Sequence, residues 1–419
     1  MKKILAGLLA GCMLFSMTAC GGTKETSSTP AADAPAAEAS AAEAPAAEAA
    51  KPEKIVIGGI QDLSGGSSVS GVAMNRGAEL AIADINALGG INGVPVEYIC
   101  YDVKGDPQEA INAYNRLCDQ DKASVVIGPP ISNIGLALTE TAAQKKVPIV
   151  GAFIDSRVTK KEDGKPQDYM FLVQPTNEQS GIIQASYLVD VLGKKKVAIF
   201  YDQTNAFGVS QVKAFKEYVT SAGGEIVSEQ IFKSGDVDFK TQLTKIKESG
   251  AEGIFAPNYP KDNTLYCNQM KQLGMDNLIT MGGLEFAPPF LTTLPDPTIV
   301  NNVYFALNCA FDEPQLQDLN KAYIDKYDDA DTVDDISVKV YLAYDAVMLA
   351  AEGIKNANMS TSGEDIKAGL EAIEFLECKS GNIGFSPETH QPKGLSMVMY
   401  KITDGVNENL GRYVPEILK

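Results

Sequence analysis

Histidine is almost absent, with one residue, His390, in 419. Multi-histidine metal sites and a Ser/His/Asp triad both need imidazoles that this chain does not have. As a lone polar residue in an expected hairpin turn, His390 itself reads as a solvated surface residue. The usual phosphate cradles are missing as well. No GxGxxG follows the first apolar strand and no GxxxxGK(S/T) occurs, which removes the common dinucleotide and nucleoside triphosphate sites. There is no GxSxG nucleophile elbow, so an extracellular hydrolase would have to work through paired carboxylates alone. Cations are in deficit: 36 Lys and Arg stand against 54 Asp and Glu, a formal net charge of −18. Phosphate-rich partners require clustered Lys and Arg, so this balance argues against nucleic acid and anionic membrane surfaces as partners.

Cysteine is sparse and carries no CxxC spacing. Cys12 and Cys20 belong to the N-terminal segment, which leaves Cys100, Cys118, Cys267, Cys309 and Cys378, an odd number. These fall in apolar strand or helix patterns, where a thiol behaves as a small hydrophobe. A Cys100 to Cys118 bridge stays open for an exported protein. No metal and no cofactor is expected.

The N-terminus is a targeting segment. Lys2 and Lys3 precede an apolar core from Ile4 to Phe15, which is shorter than the roughly 20 residues a membrane span needs. Met17-Thr18-Ala19-Cys20 then resembles a lipoprotein signal box, in which the cysteine thiol receives the lipid. Residues 1–19 are thus expected to be removed, with Cys20 the lipidated first residue of the mature protein. Residues 20–53 shift to Ala, Pro, Glu, Ser and Thr, with the near repeat APAAEASAAEAPAAEAA. With little to bury, such a segment stays extended, and a coil of that length reaches about 30 Å. It reads as a tether.

From Lys54 onward the composition is that of a globular protein, 45% hydrophobic and 21% charged over the whole chain. The opening stretch organises the rest. Ile55, Val56, Ile57 and Ile60 form an apolar strand, and a Gly/Ser loop leads to a helix with Met74, Ala78, Ala81, Ile85 and Leu88 on one face. Gly89 and Gly90 end that helix, and residues 94–101 form a second strand. In such a βαβ unit the first loop lies at the carboxyl end of a strand, where open α/β sheets bind ligands. Asp106-Pro107 then reads as cap and first residue of a helix with Ala110, Ile111, Tyr114, Leu117 and Cys118 inward. Strands at 124–127 and 147–152 flank a helix over 132–144, and a crossing strand at 169–174 leads to a second series. That series alternates helices at 177–192, 207–222, 238–249 and 261–273 with strands at 196–201, 225–231, 253–257 and 278–281. A return strand at 302–310, helices near 315–328, 333–356 and 363–373, and a hairpin over 381–403 complete the pattern.

Ordered matches now carry a resemblance. LSGG, GAELAIADINALGGINGVPVE, YDVKGDP, VIGPPIS at 126–132, VAIFYD at 197–202, DFKTQLTKIK at 238–247 and LAYDAV at 342–347 together resemble the substrate-binding proteins of branched-chain amino acid ABC transporters. The resemblance implies the type 1 periplasmic-binding fold: two Rossmann-like lobes with parallel central sheets, joined by a three-strand hinge. Lobe one is expected at 54–173 and 309–377, lobe two at 174–308 and 378–419. It also implies a function without catalysis. A monomeric, lipid-anchored protein outside the cytoplasm captures a small branched-chain or other apolar amino acid and hands it to a membrane permease. A ligand sensor for another carboxylate, amide or peptide, acting through a signalling partner, is the second reading.

Candidate ligand residues follow from loop positions together with the resemblance. Ser132 and Asn133 open a helix whose N–H groups suit a carboxylate. Ala152 and Phe153 offer backbone groups, and Ile154 stands where relatives usually place a Thr. Asp155 is a nearby anion. In lobe two, Phe207 and Tyr259 are expected to wall the side-chain pocket, and Glu285 to receive a ligand ammonium by a charge-assisted hydrogen bond. Ser70, where many relatives carry an aromatic, leaves that wall open to a ligand bulkier than leucine.

Overall fold

A computed structural model describes residues 51–204, 206–233, 235–287 and 290–419, with the side chains of residues 206, 207, 292, 293 and 334 also outside the description. The signal segment, Cys20 and nearly all of the tether lie outside the described residues. The first sheet is built from β1 (Ile55–Gln61), β2 (Val96–Asp102), β3 (Val125–Gly128), β4 (Ile149–Gly151) and β5 (Met170–Leu172). Its order is β2-β1-β3-β4-β5 and every pairing is parallel. Helices α1 (Ser68–Ala87), α2 (Pro107–Asp119) and α3 (Ser132–Lys145) make its crossovers. Because helices cover both faces, the strands read as continuous apolar runs, and β1 is buried along its whole length.

Local chemistry sets these elements as expected, with one exception. Asp106 caps α2 through its carboxylate, which accepts from the backbone N–H groups of Gln108 and Glu109, and Pro107 opens the helix. On α1, Met74, Ala78, Ala81 and Ile85 are buried, but Leu88 is 89% exposed. The helix ends at Ala87, so Leu88 is its C-cap and projects beyond the packed face. Gly89 and Gly90, at φ +95° and +84°, turn the chain away. Gly77 has a different task. A Cβ there would lie 2.1 Å from the Val340 carbonyl oxygen, so its absence lets α1 pack directly against α9 (Val338–Asn356).

The chain then crosses into a second layer set. Helix α4 (Asn177–Ser186), closed at its start by a Thr176/Gln179 capping box, leads to β6 (Lys196–Asp202), α5 (Ala206–Ser221) and β7 (Glu225–Phe232). After these come α6 (Lys240–Glu248), β8 (Gly253–Phe255), α7 (Pro260–Gln272), β9 (Ile279–Met281) and β10 (Val303–Leu307). The chain returns through α8 (Gln317–Lys326), α9 and α10 (Gly363–Glu371) to β11 (Leu376–Cys378), β12 (Gly381–Phe385) and β13 (Pro392–Lys393). It ends in β14 (Met397–Thr403) and β15 (Val406–Tyr413). The second sheet runs β15-β14-β10-β9-β8-β6-β7, parallel except for the antiparallel β10/β14 and β14/β15 pairs. Three segments therefore pass between the two sheets: after β5, after β10 and before β14.

Two expectations near the C-terminus are corrected. The single hairpin expected over 381–403 is split between sheets: β12 pairs with β11 and β13, whereas β14 pairs with β10 and β15. His390 is not solvated but fully buried. The turn folds beneath β5, where the ring stacks on Phe171 with centroids 4.2 Å apart. Its Nε2 meets Glu371 Oε1 at 2.8 Å, and the backbone N–H of Leu172 donates to its carbonyl. Burial disfavours the imidazolium and holds its pKa below the usual value despite Glu371. Cys100 and Cys118 are both free thiols, so the bridge left open by the sequence is not formed. No helix among the described residues is long and apolar enough to cross a membrane.

Candidate functional site

The carboxyl ends of β3 and β4 on one side, and of β8 and β9 on the other, deliver their loops to one cleft. Ser132 is the first residue of α3 rather than its cap, and no side chain caps that helix. Its hydroxyl oxygen instead accepts from the backbone N–H groups of Ile154 and Asp155, both at 3.3 Å. That pair of bonds ties the loop after β3 to the loop after β4. Asn133 lines the cleft beside it. Ala152 is buried, and its carbonyl accepts from the Gln174 side-chain amide. The Phe153 ring faces the core, fully buried against Gly128, Gly135 and Gly151, whose missing Cβ atoms make room for it. Asp155 is not a free anion. Its carboxylate meets the Arg157 guanidinium at 2.5 Å. Burial acts to raise its pKa, but the hydrogen bonds and charge of Arg157 prevail and hold it low.

On the opposite wall, Tyr259 precedes Pro260 at the N-cap position of α7, with 53% of its surface exposed. Phe207 lies in the first turn of α5, and its side chain is outside the described residues. Ser70 is half-buried within α1. Ser67, one residue before that helix, lines the cleft in its place. Glu285 sits in a short turn after β9.

The cleft has two parts. The outer one, about 520 Å³, is lined by Ser67, Ser132, Asn133, Glu178 and Tyr259 among others. The inner one, about 90 Å³, is bounded by Gln174, Gln184, Gln211, Glu285, Asn308 and Lys339 together with apolar side chains. Ile154 and Asn177 line both. Although Glu285 as a residue keeps partial exposure, its carboxylate oxygen Oε2 is buried with no hydrogen-bond partner. Burial raises its pKa from the ordinary carboxylate value to about 7. Lys339 is pushed the other way by burial, down to about 8. No ion pair joins these two among the described residues, although they face the same cavity.

Of the expected residues, Ser132, Asn133, Ile154, Tyr259 and Glu285 come together at the cleft, and Ala152 stands directly behind it. Gln174, Asn177, Gln184, Gln211, Asn308 and Lys339 were not anticipated. Gln184, Gln211 and Lys339 lie on helices, where polar residues ordinarily mark the solvated face. Only the docking of α4, α5 and α9 around the cleft turns them inward. Among the described residues no group of three His, Cys, Asp or Glu side chains could hold a metal ion.

Two layered α/β lobes, three crossings and a polar cleft between them describe a binding protein that closes over a solute. The chain belongs to the periplasmic binding protein family, whose model matches residues 54–406. It is similar to an amino acid binding protein of Pseudomonas aeruginosa, at 28% identity over 274 residues, which cover 65% of this chain and 71% of that one. It is also similar to a leucine-, isoleucine-, valine-, threonine- and alanine-binding protein of the same organism. That match is 26% identical over 331 residues and covers 79% of this chain and 85% of the relative. Among solved structures, the branched-chain amino acid transporter substrate-binding protein LivJ of Streptococcus pneumoniae, in complex with isoleucine, superposes with a TM-score of 0.67. The identity is 28%, covering 86% of this chain and all of that one.

Proposed function

We propose that this chain is the extracytoplasmic solute-binding component of an ABC importer, which captures a small amino acid in the interlobe cleft and delivers it to a membrane permease. The relatives, named for amino acids, supply the α-amino acid as the ligand class. One observation carries the reading: Glu285 keeps a buried, unpartnered carboxylate oxygen and lines the inner cavity, which shares Ile154 and Asn177 with the outer cleft at the N-terminus of α3. An α-amino acid carries the matching charges. Its ammonium would give Glu285 the donor it is missing, restoring a charge-assisted hydrogen bond. Its carboxylate would meet α3, whose N-terminus carries partial positive charge. Ser132 suits that role, because a hydroxyl whose oxygen accepts from two backbone N–H groups still has its own hydrogen to donate.

The three crossing segments allow the lobes to close as rigid bodies, which would remove the ligand from water. In this reading Cys20 carries the lipid, residues 20–53 are the tether, and the protein works as a monomer at the outer face of the membrane. No catalytic step and no cofactor is involved.

A thermal-shift panel of amino acids and their deaminated analogues, run on wild type and Glu285→Ala, tests the reading. Ligand at 100 times its dissociation constant should add about 2.7 kcal/mol of stability. An amino acid should raise the melting temperature of wild type and not of Glu285→Ala, while its deaminated analogue should affect both equally. Failure of every amino acid, or equal loss for both ligands in the variant, would overturn it.

A further inference from the structure

The inner cavity is more polar than a hydrocarbon side chain can satisfy. Gln184, Gln211 and Asn308 are 2%, 2% and 4% exposed. Gln184 Oε1, Gln211 Oε1 and Asn308 Nδ2 are buried without a hydrogen-bond partner, as is Glu285 Oε2. A buried polar atom left unpaired costs about 1–3 kcal/mol, so four around one cavity are a large standing penalty unless something enters to relieve it. Lys339 adds an ammonium that makes no ion pair among the described residues, although Glu285 lines the same space. The Lys339 residue itself is half-buried.

The vacant groups also have a pattern. Asn308 Nδ2 is a donor and Gln184 Oε1, Gln211 Oε1 and Glu285 Oε2 are acceptors, and the half-buried Lys339 lining the same cavity adds a second donor. With Glu285 taken by the ligand ammonium, an isoleucine or leucine side chain placed here would still leave Gln184, Gln211, Asn308 and Lys339 without partners. A planar acid or amide group would accept from the two donors, and an amide would also donate to the glutamine oxygens.

We propose that the inner cavity is the side-chain subsite, and that this chain prefers an amino acid whose side chain ends in a carboxylate or carboxamide accepted by Lys339 and Asn308. The proposal rests on the amino-acid reading of the cleft and adds a requirement on the side chain. A site built to hydrogen-bond its ligand discriminates strongly against an analogue lacking the group, because its own polar atoms then remain unpaired.

Titration calorimetry with L-glutamine, L-glutamate and L-leucine, on wild type and Lys339→Met, decides it. Wild type should bind glutamine or glutamate at least about 100-fold more tightly than leucine. Lys339→Met should weaken the favoured polar ligand at least about tenfold and leave leucine unchanged or improved. Because Lys339 makes no ion pair among the described residues, that variant should melt no lower than wild type without ligand, which separates a lost contact from a lost fold. Glutamine against glutamate distinguishes an amide from an acid. Leucine bound as tightly as either polar ligand, or unchanged selectivity in Lys339→Met, would overturn the subsite and leave the amino-acid reading standing. Binding of none of the three, with no other amino acid active in the thermal-shift panel, would overturn both.

Discussion

The outer cleft and the inner cavity share two wall residues and differ in how much of their polarity is already engaged. In the outer cleft Asp155 is engaged with Arg157 and the Ser132 oxygen with two backbone N–H groups, and of its lining side chains Glu178 keeps one buried oxygen, Oε2, without a partner. In the inner cavity Glu285, Gln184, Gln211 and Asn308 each keep an atom without a partner. Engaged groups position a loop and cost little. Buried groups without a protein partner are where a ligand can gain most by entering. Binding energy should therefore concentrate at the inner end, and stability without ligand should depend on protonation there.

The largest effect expected from this contrast is on the pH dependence of the ligand-free protein. Glu285 has its pKa raised by burial from 4.5 to about 7. Between those values the folded state holds more protons than the unfolded state, so stability falls as pH rises from about 4.5 to 7, and the cost is fully present above 7. Lys339, lowered from 10.5 to about 8, gives the reverse slope at higher pH. The unfolded state then holds more protons, and stability recovers from about 8 to 10.5. Glu285→Gln should remove the first slope and leave the second, stabilising the empty protein by about 1–3 kcal/mol at pH 8 relative to its effect at pH 5. Denaturant melts at pH 5 and pH 8 measure this. Parallel shifts of wild type and variant would mean that Glu285 is not desolvated.

A smaller effect is expected in the outer cleft, at Ser132. Ser132→Ala leaves the Ile154 and Asp155 N–H groups without their acceptor and loosens the tie between two loops, which costs about 1 kcal/mol of stability. Affinity should fall several-fold, and by the same factor for an amino acid and its deaminated analogue, since the lost group serves the carboxylate end. Ser132→Thr should restore part of it. A loss confined to the amino acid would move Ser132 to the ammonium end and reverse the ligand's orientation.

The same contrast explains what could be read from the sequence. Elements bounded by strong local signals were legible: Asp106-Pro107 as a helix start, Gly89-Gly90 as a helix stop, and the strand-to-helix loops ending at Ser132 and Tyr259. Loop residues at strand ends face the cleft because the topology places them there, so position together with the family resemblance pointed to Ser132, Asn133 and Glu285 as cleft residues. The helical part of the inner wall obeyed no such rule. Gln184, Gln211 and Lys339 lie on helices whose surroundings depend on how three separate segments dock, and nothing in their neighbours distinguishes them from solvated polar residues. His390 was misread for a related reason: a polar residue in a turn is usually solvated, but here the turn is tucked under β5 against Phe171. Leu88 erred the other way, since helical spacing continued one residue beyond the helix itself.

Arg157 should show the smallest effect, and it tests whether the outer cleft is only scaffolding. The guanidinium is 72% exposed, so its bond with Asp155 is screened by water and salt despite good geometry. Arg157→Ala should change stability by no more than about 0.5 kcal/mol and ligand affinity by less than about twofold. The variant frees the Asp155 carboxylate at the mouth of the cleft, where it would repel an incoming ligand carboxylate only across solvent and with salt screening. A weak loss of affinity that vanishes on raising the salt concentration would fit this position. A salt-independent loss of tenfold or more would instead mean that Arg157 reaches the ligand when the lobes close, and the carboxylate would then be held by a cation in the outer cleft as well as by the N-terminus of α3.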